Sequence, residues 1–222
     1  MSESDFVPWD GFEEKAPASM QSAAQAFAAS MQNRRSVRDF SDRPVPRSIM
    51  EHAIAAAGSA PSGANKQPWF FAVVADPERK QAIRAAAETC ERQFYETIQN
   101  TQWEKALEPL GTGTDKPFLT QAPYLVVVFA QRHAFDTEGK IEKHYYVSES
   151  VGLAVGFFLA AIHKAGLASL IYTPAPMGFL NGLLDRPENE RPFCICPVGY
   201  PAKQAMVPNQ SRKPLGQIMT WY

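Results

Sequence analysis

Ala60-Pro61-Ser62-Gly63-Ala64, followed closely by Gln67-Pro68-Trp69 and an apolar run to Ala75, is the stretch on which the reading of the fold turns. Proline, serine and glycine together build a turn with free backbone N–H groups and little side-chain bulk. A flat aromatic ring could approach such a backbone closely and accept hydrogen bonds from it. Alone, the motif equally describes an ordinary helix-to-strand turn. Upstream, residues 46–57 read as a helix with Pro46 in the first turn and Gly58 as its stop. Downstream, the compact apolar run 69–75 predicts a central strand.

Further out, Ala24, Phe27, Ala28 and Met31 recur at helical spacing and predict a helix over 18–34. Residues 80–98 read as a helix, and 124–130, 168–172 and 193–198 read as strands. The segment 144–165 is apolar on nearly every side, as in a helix buried in a core or at a subunit interface. Between 101 and 120, Gly111, Gly113 and Pro117 interrupt any periodicity, so a long loop or lid is expected. Strands separated by helices indicate an α/β or α+β domain. With no repeat and no dividing linker, one domain is expected over 1–222. It carries an N-terminal arm over 1–17 (polar, but with Phe6, Trp9 and Phe12), a lid over about 91–120 and an extended tail over 201–222.

Composition narrows the function classes. Lysine and arginine number 22 against 23 aspartates and glutamates, for a net charge of −1, which argues against a surface built for nucleic acid or anionic lipid. Cys90, Cys194 and Cys196 are too few and too irregular for a disulfide framework or a zinc site. Cys194 and Cys196 sit two apart in a predicted strand, so both face one side of it as small buried thiols suited to a reducing compartment. No secretory signal opens the chain, and the longest apolar stretch, 151–162, is too short to span a bilayer; a soluble, cytoplasmic protein is expected.

Three further clusters could carry chemistry. Arg34-Arg35-Ser36-Val37-Arg38 places three guanidiniums and a hydroxyl within five residues, and guanidinium donors match phosphate oxygens. The same cations would also complement the negative end of a helix macrodipole. Tyr172-Thr173-Pro174 follows a predicted strand, where a hydroxyl can reach over the sheet edge, although most such threonines cap the next helix. Arg212-Lys213-Pro214 lies in the tail and could complete a phosphate site.

Taken together, over 33–219, these elements resemble the nitroreductase family. The resemblance implies an α+β fold with a mainly antiparallel central sheet flanked by helices, holding FMN non-covalently at the interface of a homodimer. Carried over, Arg34, Arg35, Ser36 and Arg38 would hold the phosphate and ring edge, with Val37 contributing backbone. Ser62 and Gly63 would line the flavin beside Tyr172 and Thr173, and Arg212 would reach the phosphate. Within the family the chain is most similar to the iodotyrosine deiodinases, which carry a Glu, a Tyr and a Lys that grip the substrate zwitterion where this chain has Glu91, Tyr95 and Lys116. His144-Tyr145-Tyr146, Pro197-Val198-Gly199-Tyr200-Pro201 and Arg212-Lys213-Pro214-Leu215 are similar too.

That resemblance implies reductive dehalogenation of halogenated tyrosine by sequential one-electron transfers from reduced flavin. Thr173 would donate to flavin N5 as the catalytic contact, and the Ala64 N–H would bond the substrate phenolate. No metal is expected, and the electron donor is left unidentified. The alternative is an NAD(P)H-dependent nitroreductase or quinone reductase, which has no need of Glu91 or Lys116. Asn65-Lys66 and Tyr172 depart from the deiodinase pattern; a threonine is usual in the latter place.

Overall fold

The computed structural model describes residues 6–99 and 101–222. The described residues up to Arg34 form one compact unit, and Arg35–Tyr222 form another. The first contains α1 (Pro17–Gln32), opened by Pro17 at its first turn. None of its residues is buried, and Met20 and Phe27 are exposed.

The second unit contains α2 (Arg47–Gly58), β1 (Trp69–Val74), α3 (Pro77–Thr97), α4 (Gln102–Leu107), α5 (Phe118–Gln121) and β2 (Tyr124–Gln131). A short hairpin of β3 (His133–Phe135) and β4 (Ile141–Lys143) follows, then α6 (Val147–Lys164), β5 (Ala168–Ser169), α7 (Phe179–Leu183) and β6 (Glu190–Gly199). The main sheet has the order β1-β2-β6-β5 and every pairing in it is antiparallel.

β2 and β6 are the centre, and their side chains alternate between two cores. Val126, Val128, Cys194, Cys196 and Val198 point to one face, where Met50 and Ala53 of α2 and Val151, Val155 and Phe158 of α6 cover them. Leu125, Val127, Phe129 and Ile195 point to the other, covered by Ile83 and Ala87 of α3, Phe118 and Leu119 of α5, and Leu180 of α7. A strand buried on both faces has no polar side, which is why 124–130 reads as an unbroken apolar run. Cys194 and Cys196 do share a face, their Sγ atoms 3.8 Å apart.

Several expectations need correction. The 69–74 strand lies at the sheet edge, paired only with β2, because the other side of β2 is taken by β6. Pro46 stands before the first turn of α2 as its N-cap residue. The strand expected over 168–172 shrinks to two residues plus an isolated bridge between Tyr172 and Ile195. Its ladder is interrupted opposite Pro197, which has no N–H to give. The 101–120 segment, expected as a long loop or lid, is partly helical: α4, a 3-10 turn (Glu108–Leu110) and the start of α5 fall within it, and 111–117 are irregular. The Thr101 hydroxyl caps α4 by accepting from the Glu104 N–H at 3.2 Å. The tail is extended apart from a 3-10 turn at Leu215–Gln217.

By length and composition α6, with 18 residues and mean hydropathy 1.3, could cross a membrane; the helix is longer than the apolar dozen suggests because residues at both ends join it. In this fold its inner side packs on the sheet, while Leu153 and Phe157 are exposed.

Gly199 ends β6 where three segments converge: a Cβ there would lie 2.5 Å from Pro123 Cδ and 3.4 Å from Phe40 Cδ1. Gly199→Ala is therefore expected to destabilise the protein by about 1–3 kcal/mol through overpacking. Urea unfolding would measure it, and an unchanged midpoint would contradict the close packing described.

Candidate active site

α3 supplies the first pieces of the site. Glu91 and Tyr95 lie one turn apart and so project from the same face of the helix. The chain then runs out through α4 and is reversed at Gly111, whose φ of +60° is the left-handed region open to glycine. That reversal returns Lys116 to Glu91. Lys116 Nζ stands 3.1 Å from Glu91 Oε2, with the two side chains only 6% and 10% exposed. Lys116 Nζ also donates to the Gly113 carbonyl. The Tyr95 hydroxyl bonds Thr112 Oγ1 at 2.7 Å, and Phe94 meets Trp103 of α4 edge-on at 5.0 Å.

A second network ties this cover down. Glu88 accepts from the Lys116 backbone N–H at 2.9 Å and from Arg84 Nε at 2.7 Å, and Arg84 Nη2 reaches Asp115 at 2.6 Å. Burial opposes ionisation of Glu88, but these donors outweigh it and hold its carboxyl below the usual range. Arg84, Glu88, Asp115 and Thr112 escaped sequence reasoning. The 84/88 spacing of opposite charges was a visible signal; the pairing with Asp115 depends on the chain reversal.

Beneath the cover is a cavity of about 390 Å³, within the range of small-molecule sites. Its walls bring together Arg38, Glu91, Tyr95, Lys116, Tyr172 and Thr173. Arg38 is half-buried; burial lowers its pKa, and the Tyr95 phenol opposes that shift. Thr173 follows directly on the Tyr172–Ile195 bridge, which fixes its backbone.

The other expected residues lie elsewhere. Val37 N–H bonds the Ser169 carbonyl at 3.2 Å and Ser36 bridges Ser169, which lays this segment along the edge of β5. Arg35 donates to the Pro208 carbonyl in the tail, and Arg212 lies further along that tail, exposed. Arg34 closes the first unit, its N–H bonded to the Met31 carbonyl.

The 62–67 turn is held against the start of α6. Gly63 N–H donates to Ser150 Oγ at 3.3 Å, and a Cβ on Gly63 would lie 2.7 Å from the Tyr145 carbonyl oxygen. Ala64, Asn65 and Gln67 all have positive φ (50°, 52° and 48°). Such conformations cost of order 1–3 kcal/mol each and cluster at ligand sites. The Ser62 hydroxyl braces the turn by accepting from the Gln67 N–H at 2.9 Å, and Lys66 pairs with Glu142 of β4. Arg35, Ser36, Val37, Ser62, Gly63, Ala64 and Arg212 do not line the cavity of their own chain. Among the described residues, no group of three His, Cys, Asp or Glu side chains is placed to hold a metal.

An antiparallel sheet covered by helices on both faces, with a cavity at its edge large enough for a small molecule, defines an α+β fold with a candidate ligand site. Residues 31–200 match the family described as the nitroreductase family, and the chain belongs to that family. It is 48% identical over 217 residues to an iodotyrosine deiodinase of Haliscomenobacter hydrossis, covering 98% of this chain and 97% of that protein. It is 43% identical to iodotyrosine deiodinase 1 of Sus scrofa, over 88% of this chain and 68% of that one. Among solved structures it is similar to an oxidized iodotyrosine deiodinase bound to FMN and 3-iodo-L-tyrosine, with a TM-score of 0.77 and 32% identity over 88% of this chain and all of that chain.

Removing one member of a buried ion pair strands the other charge. In the ligand-free protein, Glu91→Gln is expected to speed amide exchange across 102–110 by about tenfold, a shift of ~1.4 kcal/mol in local opening. The double variant Glu91→Gln/Lys116→Met should recover much of the protection. Equal exchange in all three proteins would show that the pair does not hold the cover.

Proposed function

We propose that this chain is an FMN-dependent enzyme that reductively dehalogenates halogenated tyrosine. The observation that carries the reading is the enclosed acid–amine pair of Glu91 and Lys116, beside Tyr95, in the cavity that Arg38 and Thr173 also line. An amino acid zwitterion brings an ammonium for Glu91 and a carboxylate for Lys116. It can therefore take the place of each residue's present partner without leaving a buried charge alone. Tyr95 then covers the bound ring and offers its hydroxyl.

The donor set fits FMN. Arg38 is a half-buried guanidinium whose pKa is lowered by burial, so an electron-rich oxygen of the cofactor would relieve it. Arg34, Arg35, Ser36 and Arg212 would serve the phosphate, with Val37 held by its backbone. When bound, FMN supplies the electrons, one at a time, that expel halide from the substrate ring. Thr173 would donate its O–H to the flavin N5 and hold a proton there. The cover formed by α4 and the segment to Lys116 excludes water from the ligand.

Ser62 and Gly63 would line the flavin, and the Ala64 N–H would bond the substrate phenolate oxygen. That turn does not line its own chain's cavity, so the reading requires a homodimer in which a second copy supplies it. The exposed Leu153 and Phe157 on α6, and exposed Ile218 and Trp221 in the tail, support such an interface. Three free cysteines support a reducing compartment such as the cytoplasm.

The test is anaerobic: reduce the bound flavin, add 3-iodotyrosine, and follow flavin reoxidation with iodide release. Rapid reoxidation with one tyrosine formed per flavin is expected. Fast oxidation by a nitroaromatic with no iodide released would instead assign the chain to the nitroreductase alternative. Separately, Glu91→Gln should weaken halotyrosine binding at least about tenfold, the ~1.4 kcal/mol minimum for losing a charged partner, and leave FMN affinity unchanged. Equal losses of both would remove the zwitterion clamp from the reading. Sedimentation should give twice the mass of one chain.

A further inference from the structure

Tyr172 lies where the deiodinase resemblance leads one to expect a threonine, and its buried hydroxyl makes no hydrogen bond of good geometry, although it lies beside the Glu91 carboxylate and interacts with it. The residue is 8% exposed. Its backbone is fixed by two hydrogen bonds with Ile195, Tyr172 N–H to Ile195 O at 2.9 Å and Ile195 N–H to Tyr172 O at 2.8 Å. Its ring meets Phe118 edge-on at 5.4 Å. Backbone and ring are thus both held, and the hydroxyl has little freedom to look elsewhere for a partner. A buried donor with a poorly aligned bond is unfavourable, and a shift of the neighbouring Glu91 carboxylate would let that bond form fully.

The surroundings say which partner. Tyr172 lines the same cavity as Glu91 and Lys116, and Lys116 Nζ lies 5.4 Å from its ring centroid. Burial, and then the neighbouring Glu91 carboxylate, push the phenol pKa far up, so Tyr172 stays a neutral O–H donor. At present the Glu91 carboxylate is engaged by Lys116.

We propose that Tyr172 is a positioning residue for Glu91: its O–H, already beside the Glu91 carboxylate, becomes the contact that holds that carboxylate toward the ligand ammonium when a ligand carboxylate draws Lys116 away. This rests on the zwitterion clamp proposed above and names what makes that clamp selective. A carboxylate can accept from a phenol and an ammonium at once, so the two contacts support each other. Ligands without an ammonium and a carboxylate do not call on Tyr172 at all.

The experiment compares FMN-loaded wild type, Tyr172→Phe, Glu91→Gln and the double variant, using 3-iodotyrosine and 2-iodophenol, with binding read by quenching of flavin fluorescence. Phenylalanine keeps the ring and its packing on Phe118, and FMN stoichiometry checks that each variant is folded. Tyr172→Phe is expected to weaken 3-iodotyrosine binding about tenfold, through loss of a hydrogen bond to a charged group. Binding of 2-iodophenol and of FMN should stay within about twofold, and KM should rise while kcat holds. In the Glu91→Gln background, Tyr172→Phe should add nothing. Equal weakening of both ligands, additive losses with Glu91→Gln, or an unchanged 3-iodotyrosine affinity would each overturn the role. If wild type itself fails to bind 3-iodotyrosine, the proposed function fails; if wild type binds and Tyr172→Phe binds equally well, only the Tyr172 assignment does.

Discussion

The pairing of β2 with β6, with both faces sealed from water, is the constraint on which the rest of the structure depends. Val126, Val128, Cys194 and Cys196 must be covered on one side, and Leu125, Val127, Phe129 and Ile195 on the other. A sheet with no polar face needs two covering layers. α2 and α6 provide one, and α3, α5 and α7 provide the second. The site forms at the margin of the second layer, where α3 runs past the sheet and carries Glu91 and Tyr95 beyond it. The Tyr172–Ile195 bridge then sets Thr173 at the end of the sheet, so the rigid centre positions one wall of the cavity and the outlying α3 positions the other.

That geometry makes the electrostatics exacting. A glutamate and a lysine beneath a cover of helix and turn lose most of their hydration, and each is tolerable only with an opposite charge at hand. In the ligand-free chain they satisfy each other at 3.1 Å. The arrangement keeps two opposite charges together in a small cavity. The Arg84–Glu88–Asp115 network, whose Asp115 also lines the cavity, is a second anchor on the returning chain. The returning chain is thus held at two places, by this network and by the Glu91–Lys116 pair.

The site is also divided. The cavity gathers Arg38, Glu91, Tyr95, Lys116, Tyr172 and Thr173, while the Ser62–Gly63–Ala64 turn is braced against α6 and serves a different surface. Its three left-handed non-glycine residues store strain where a ligand would approach the backbone. The turn and the cavity are thus separate in this chain, and α6, against which the turn is braced, leaves Leu153 and Phe157 exposed.

What the sequence by itself determined was the set of pieces. The apolar run at 124–130 marked a strand, the 91/95 spacing put acid and phenol on one helical face, and Pro61, Ser62 and Gly63 marked a turn. These are local signals, set by periodicity and by the conformational preferences of single residues. Only the tertiary structure decided that β1 is an edge strand, that Pro197 cuts β5 short, and that the 101–120 segment is partly helical. Only it brought Lys116 back to Glu91 and enclosed the Tyr172 hydroxyl beside that carboxylate. Each of these depends on contacts between residues far apart in the chain, whose free energy comes from burial and charge pairing in three dimensions and leaves no periodic trace in the order of amino acids.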